Sequence, residues 1–230
     1  MTTETDCPRC ERPAALCICD RVTPMDAHIQ VRILQHPGEQ DTVLGSAKLA
    51  TMMVRSAKTV VGLSWPSLSR ALDQSVEPAA WAAVWPSQLP RPLRATELAK
   101  PFVLMTRGGA HQAPENIQGI LLLDGTWSQA KSLWWRNPWL LRLPRIVLNP
   151  REPSIYGRLR REPRAGALST LEAMADALVG LGEPEEMRAA LRRAFRTMVQ
   201  RTRDFPRPKA PRKAAARAKA APAEPTAEEE

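Results

Sequence analysis

No stretch of this 230-residue chain is apolar for long enough to cross a bilayer, which sets membrane-spanning proteins aside at once. There is no secretory leader either: the N-terminus is polar and reaches Cys7 early, so a cytoplasmic protein with no membrane attachment is expected. No internal repeat is visible, which excludes solenoids and propellers. Cysteine is absent beyond position 19, and tyrosine occurs only once, at Tyr156. Hydrophobic residues make up 43%, enough for one sizeable core at this length.

What is present begins with charge. The formal net charge is +9. From Pro206 onward there are six basic and four acidic residues, so +2 belongs to the tail and +7 to residues 1–205. An excess on the folded part suits a polyanionic partner. The four cysteines read Cys7-x2-Cys10-x6-Cys17-x-Cys19. The first pair has the spacing of a zinc knuckle, in which following amides hydrogen-bond the first thiolate. Four thiolates close a tetrahedral shell, the structural kind of zinc site; two disulfides are the alternative. The site is expected to pin a small N-terminal arm, residues 1–24, onto the domain. RNA contact through Arg9 and Arg12 is a secondary expectation.

The organising stretch is Gly119–Trp135. Ile120–Leu123 is a continuous apolar run that suits a strand buried on both faces of a parallel sheet. It stops at Asp124-Gly125, a pair with turn chemistry. A helix follows over Ser128–Trp135, with Ser128 as its expected cap. Asp124 then stands at a strand's C-terminal end, where ligands bind in open α/β sheets. A buried carboxylate there must find partners or shift its pKa. A turn-capping role for Asp124 is the other reading.

Further strands are expected at His28–Leu34, Thr59–Trp65, Trp81–Trp85, Phe102–Met105 and Arg145–Leu148. Helices are expected at Leu44–Ala57 and Pro66–Leu72, and a proline-rich loop at Pro86–Arg94. This alternation argues for an α/β fold with a mostly parallel sheet and helices on both faces. His36-Pro37-Gly38-Glu39 closes the first strand, on the rim of Asp124 if the strands are parallel.

Arg151–Met174 is the second informative block. Arg158, Arg160, Arg161 and Arg164 surround Tyr156, a composition that can hold phosphates and stack a base, or can simply be a solvated basic loop. Ser169 and Glu172 have capping-box spacing, and Leu168, Leu171, Ala175 and Leu178 form one stripe. Pro184–Arg203 reads as a final amphipathic helix. Residues 206–230 have almost nothing to bury and are expected to be disordered.

These pieces together resemble the DTW-domain family of tRNA-uridine aminocarboxypropyltransferases. Asp124-Gly125-Thr126-Trp127 matches the Asp-x-Thr-Trp signature. In family order come the Cys cluster with Arg12-Pro13, His36-Pro37-x-Glu39, Leu143-Pro144-Arg145 and Ser169-Thr170-Leu171-Glu172-Ala173. Asp41-Thr42 departs from the Asn-Thr that many members carry. The resemblance covers roughly residues 7–200.

It implies that residues 25–205 form a SPOUT-like catalytic domain with a C-terminal trefoil knot. It also implies S-adenosylmethionine as donor of an aminocarboxypropyl group, tRNA uridine N3 as acceptor, and a monomer or homodimer. Asp124, Thr126 and Trp127 would be catalytic. Leu123, Gly166, Leu168, Ser169, Thr170 and Glu172 would contact the donor. Lys131, Tyr156, Arg158, Arg160 and Arg161 would contact RNA, and Cys7, Cys10, Cys17 and Cys19 would hold zinc. A SPOUT-type methyltransferase and a non-catalytic zinc-containing RNA-binding module are the alternatives.

Overall fold

A computed structural model describes residues 6–39, 43–84, 93–160 and 167–205, with only the backbone at Arg158. The sheet has six strands: β1 (Gln30–Gln35), β2 (Ala57–Val61), β3 (Trp81–Val84), β4 (Phe102–Met105), β5 (Gly119–Asp124) and β6 (Arg145–Leu148). Their order is β2-β1-β5-β3-β6-β4. Every neighbouring pair is parallel except β4 with β6. The sheet is therefore mixed and mostly parallel, as expected, with an antiparallel edge strand that apolar patterning alone does not reveal.

Helices cover both faces. On one side α1 (Ser46–Met53), α5 (Thr170–Gly180) and α6 (Glu185–Asp204) pack over Val31, Ile33, Ile120, Leu122 and Ile146. On the other, α2 (Leu68–Leu72) and α4 (Trp127–Arg136) cover Leu34, Trp81, Ala83 and Leu121. A short α3 (Ala95–Leu98) leads into β4. Burying β5 on both faces is what the Ile-Leu-Leu run is for. Gly119 opens that strand because a Cβ there would stand 2.6 Å from the Trp81 ring.

Most element ends shift by a residue or two from the sequence reading, as at the first strand, Gln30–Gln35 instead of His28–Leu34, and three differences bear on the site. The second strand runs Ala57–Val61 and stops before Gly62, whose amide donates to the Gln35 carbonyl. α1 is confined to Ser46–Met53. The cap of α4 is Thr126, not Ser128: Thr126 Oγ1 accepts from the Gln129 amide at 3.3 Å, and Gln129 Oε1 accepts from the Thr126 amide at 2.7 Å. Ser128 cannot make the same reciprocal box, because the residue three on is Lys131, which has no acceptor. Residues 206–230, Arg161, Gly166, Asp41-Thr42 and most of the proline-rich loop lie outside the described residues.

Candidate active site

Register places the site. Gln35 and Asp124 end adjacent parallel strands and pair with each other. The His36 amide continues the ladder, donating to the Asp124 carbonyl at 3.0 Å. Asp124 is buried, 5% exposed. Gln35 Nε2 donates to its Oδ2 at 2.7 Å, and Thr170 Oγ1 donates to its Oδ1 at 2.5 Å. Burial raises the carboxyl above its ordinary value of 3.8, and the Thr170 and Gln35 bonds oppose the rise. Glu39 adds to it and Arg160 subtracts, so both charges are felt at Asp124. The rim thus carries a proton acceptor stronger than a solvated aspartate.

Gly125 lets the chain turn from β5 into α4: its φ of +147° is strained for other residues, and a Cβ would stand 2.9 Å from Gln129 Cβ. Thr126, exposed, spends its hydroxyl on the helix cap. Trp127 opens α4 and is half-buried, and Lys131 is exposed one turn later. Leu123, also half-buried, packs against the core beneath α2 and α4.

Thr170 is delivered by α5. Ser169 caps that helix, and the capping box with Glu172 forms as the spacing predicts. Glu172 is fully buried and does more than cap. Its Oε2 accepts from Ser154 Oγ at 2.7 Å, Ser169 Oγ at 2.7 Å and the Ser169 amide at 3.0 Å. Its Oε1 accepts from the Ile155 amide at 2.9 Å. Glu172 therefore holds loop and helix together and does not face a ligand. Leu168 is half-buried beside it, and Ser169 is buried.

Tyr156 corrects an expectation. It is 5% exposed, its hydroxyl donates to the Leu44 carbonyl at 2.5 Å, and its ring packs edge-on against Phe195 with centroids 4.9 Å apart. A ring enclosed in this way offers no face to a nucleobase, so Tyr156 is a core residue and not an RNA-stacking platform. Arg160 lies over the same ring, 5.7 Å from its centroid, and pairs with Glu39 at 2.7 Å. Sequence reasoning missed Gln35 and Ser154, because a strand register and a loop-to-helix contact have no local signature.

The four cysteine sulfurs lie within 4.8 Å of one another, with Cys7–Cys19 at 3.7 Å and Cys10–Cys17 at 3.8 Å. Tetrahedral zinc–thiolate bonds of about 2.3 Å give sulfur–sulfur edges of about 3.8 Å, so the cluster fits a structural zinc site. The amides of Cys10 and Arg9 bond Cys7 and help lower its thiol to about 6. Buried Arg12 ties the arm to the domain, donating to the Val43 and Gly45 carbonyls at 3.1 Å each and to Met198 Sδ at 3.0 Å. Arg201 of α6 holds Asp20 through its two terminal guanidinium nitrogens, at 2.9 Å each. No helix is long and apolar enough to cross a membrane among the described residues.

The model of the DTW domain matches residues 4–203. A Drosophila melanogaster protein named tRNA-uridine aminocarboxypropyltransferase 2 is 31% identical over 205 residues, 84% of this chain and 73% of its own length. A Macaca fascicularis protein of the same name is 29% identical over 75% of this chain, which spans only 55% of that relative. An Arabidopsis thaliana protein, tRNA-uridine aminocarboxypropyltransferase A, is 26% identical over 90% of this chain and 84% of its own. No solved structure matches.

Proposed function

This chain belongs to the DTW-domain family, and from that premise we propose that it is an S-adenosylmethionine-dependent tRNA-modifying transferase. The specific reaction moves the 3-amino-3-carboxypropyl group to N3 of a tRNA uridine. The observation that carries this reading is Asp124, a buried carboxylate at the C-terminal end of a central parallel strand, gripped by Gln35 and Thr170. The donor supplies an electrophilic γ-carbon: as the N3–Cγ bond forms, the S–Cγ bond breaks and its electron pair leaves on sulfur as neutral methylthioadenosine.

The chain's residues supply the rest. Uridine N3–H is a weak acid, and Asp124, with its raised pKa, takes the proton as attack proceeds and passes it to water. Gln35 and Thr170 orient that carboxylate. Trp127 walls the pocket or stacks the uracil, with Thr126 fixing the turn that presents it. Donor contacts are assigned to Leu123 and the segment Gly166–Thr170, including Leu168 and Ser169. Lys131, Arg158 and Arg161 are assigned to the tRNA backbone, where a net charge of +9 favours association. A SPOUT-like fold with a C-terminal trefoil knot, a cytoplasmic location and a monomeric or homodimeric state complete the reading. A crystal structure tracing Leu148 to Thr170 tests the knot.

The functional test is direct. Protein, total tRNA and S-adenosylmethionine are incubated, and the digested nucleosides are weighed. Aminocarboxypropyluridine is expected with the wild type, and roughly 10²–10⁴-fold less with Asp124→Ala. A methylated nucleoside would transfer the protein to the methyltransferases. RNA retention without donor binding or product would leave a zinc-containing RNA-binding module.

A further inference from the structure

The proposed chemistry leaves one feature of the rim unused. Glu39, after β1, and Arg160, in the arginine-rich stretch after Tyr156, lie 121 residues apart in the chain and form an ion pair at 2.7 Å. Glu39's side chain is 7% exposed and Arg160's 31%. A solvated pair would contribute little to stability, but this one is partly desolvated and stands where Asp124 feels both charges.

The transferred group is a zwitterion, with a carboxylate and an ammonium on the carbon two bonds from the reacting γ-carbon. To aim that γ-carbon, the site must grip those two substituents. A guanidinium has five donors in a planar fork, matched to carboxylates, and its bond to Glu39 uses one nitrogen. A buried glutamate beside it matches the ammonium. Resting on the Proposed function reading, we propose that Arg160 and Glu39 form the receptor for the donor's amino-acid end, Arg160 taking the carboxylate and Glu39 the ammonium.

The other place for a donor carboxylate, the N-terminus of α5, argues against itself. The Glu172 carboxylate is already buried in that first turn and accepts from the Ser169 amide and hydroxyl. A second carboxylate there would meet like charge instead of an unneutralised helix end. Arg160 is also a poor choice for the tRNA backbone: it is packed over Tyr156 and held inward by Glu39, whereas phosphate contacts come from exposed cations. The assignment moves Arg160 from the RNA side of the site to the donor side.

The test compares S-adenosylmethionine with its decarboxylated form, which lacks only the carboxylate, by calorimetry on wild type, Arg160→Gln and Arg160→Lys. Wild type is expected to prefer the intact donor by about 10–100-fold, the worth of a charge-assisted bidentate contact. Arg160→Gln should erase that preference while keeping affinity for the decarboxylated form, which also shows the variant is folded. Arg160→Lys, a charge without the fork, should retain part of it. A preference undiminished in Arg160→Gln overturns the assignment, as does a loss confined to tRNA affinity. If the variants do not fold, the wild type decides alone, and equal affinity for the two donors overturns the assignment. Failure of wild type to bind either donor is different, because it removes the Proposed function reading itself.

Discussion

Asp124 and Glu172 are both buried near the same end of this sheet, and they are treated differently. Glu172 receives four hydrogen bonds, two of them from backbone amides that cannot turn away. Asp124 receives two, both from side chains, a hydroxyl and a carboxamide that can each reorient. It also feels the negative charge of Glu39, which raises its pKa further. One acid is a fixed joint between a loop and a helix, and the other is held ready beside a turn. Burial alone does not separate scaffold from site; the kind of donor does.

The hardest way to break that contrast is Glu172→Gln. Its carboxamide places a donor among four donors, leaving buried groups unsatisfied at a cost of about 3 kcal/mol. Denaturant unfolding should show that loss, and methylthioadenosine production should fall with the folded fraction. Wild-type stability would mean that Glu172 is no joint at all. A smaller effect is expected next door. Tyr156→Phe removes the hydroxyl from the Leu44 carbonyl and should cost about 1 kcal/mol, with tRNA affinity unchanged once folding is allowed for. A selective drop in tRNA affinity would restore Tyr156 to the RNA surface.

The smallest change should carry the opposite sign. Because burial raises the Asp124 pKa in the folded protein, its protonated form favours folding. That contribution is fully present below the ordinary value of 3.8 and is lost as pH rises through the raised folded value. At neutral pH the ionised carboxylate is a burden, so Asp124→Asn should raise stability by roughly 0.5 kcal/mol while ending turnover. Melting curves of the two proteins should draw together as pH falls toward the acid range. A stability gap that does not change with pH would mean that Asp124 titrates as a surface acid.

How much of this could be read from residues alone follows the range of the interactions. The strand over Ile120–Leu123, the turn after it and the Ser169–Glu172 box are local patterns, and they form as written. Asp124 stood out because a charge closing an apolar run needs a reason. Thr126 and Ser128 have the same capping chemistry, and only the glutamine at position 129 separates them. Gln35 became visible only with the β1–β5 register. Tyr156 reads as part of a basic loop because its neighbours in sequence are arginines, whereas its neighbours in space, Leu44 and Phe195, are distant along the chain. The DTW match covers the domain but not the side-chain contacts that decide which residues face a ligand.

The arm around Cys7–Cys19 sets a schedule for biosynthesis. It is made before the domain it clips to, and its far fasteners come much later than its near ones: Asp20 waits for Arg201, 181 residues later, and Arg12 for Met198, 186 residues later. Closing such long loops is the slow, entropically costly part of folding. Without α6 the arm therefore keeps only its near clasps, the Val43 and Gly45 carbonyls held by Arg12. The far clasps, Arg12 to Met198 and Asp20 to Arg201, close only when α6 packs, so final docking of the cysteine arm reports that this helix is in place.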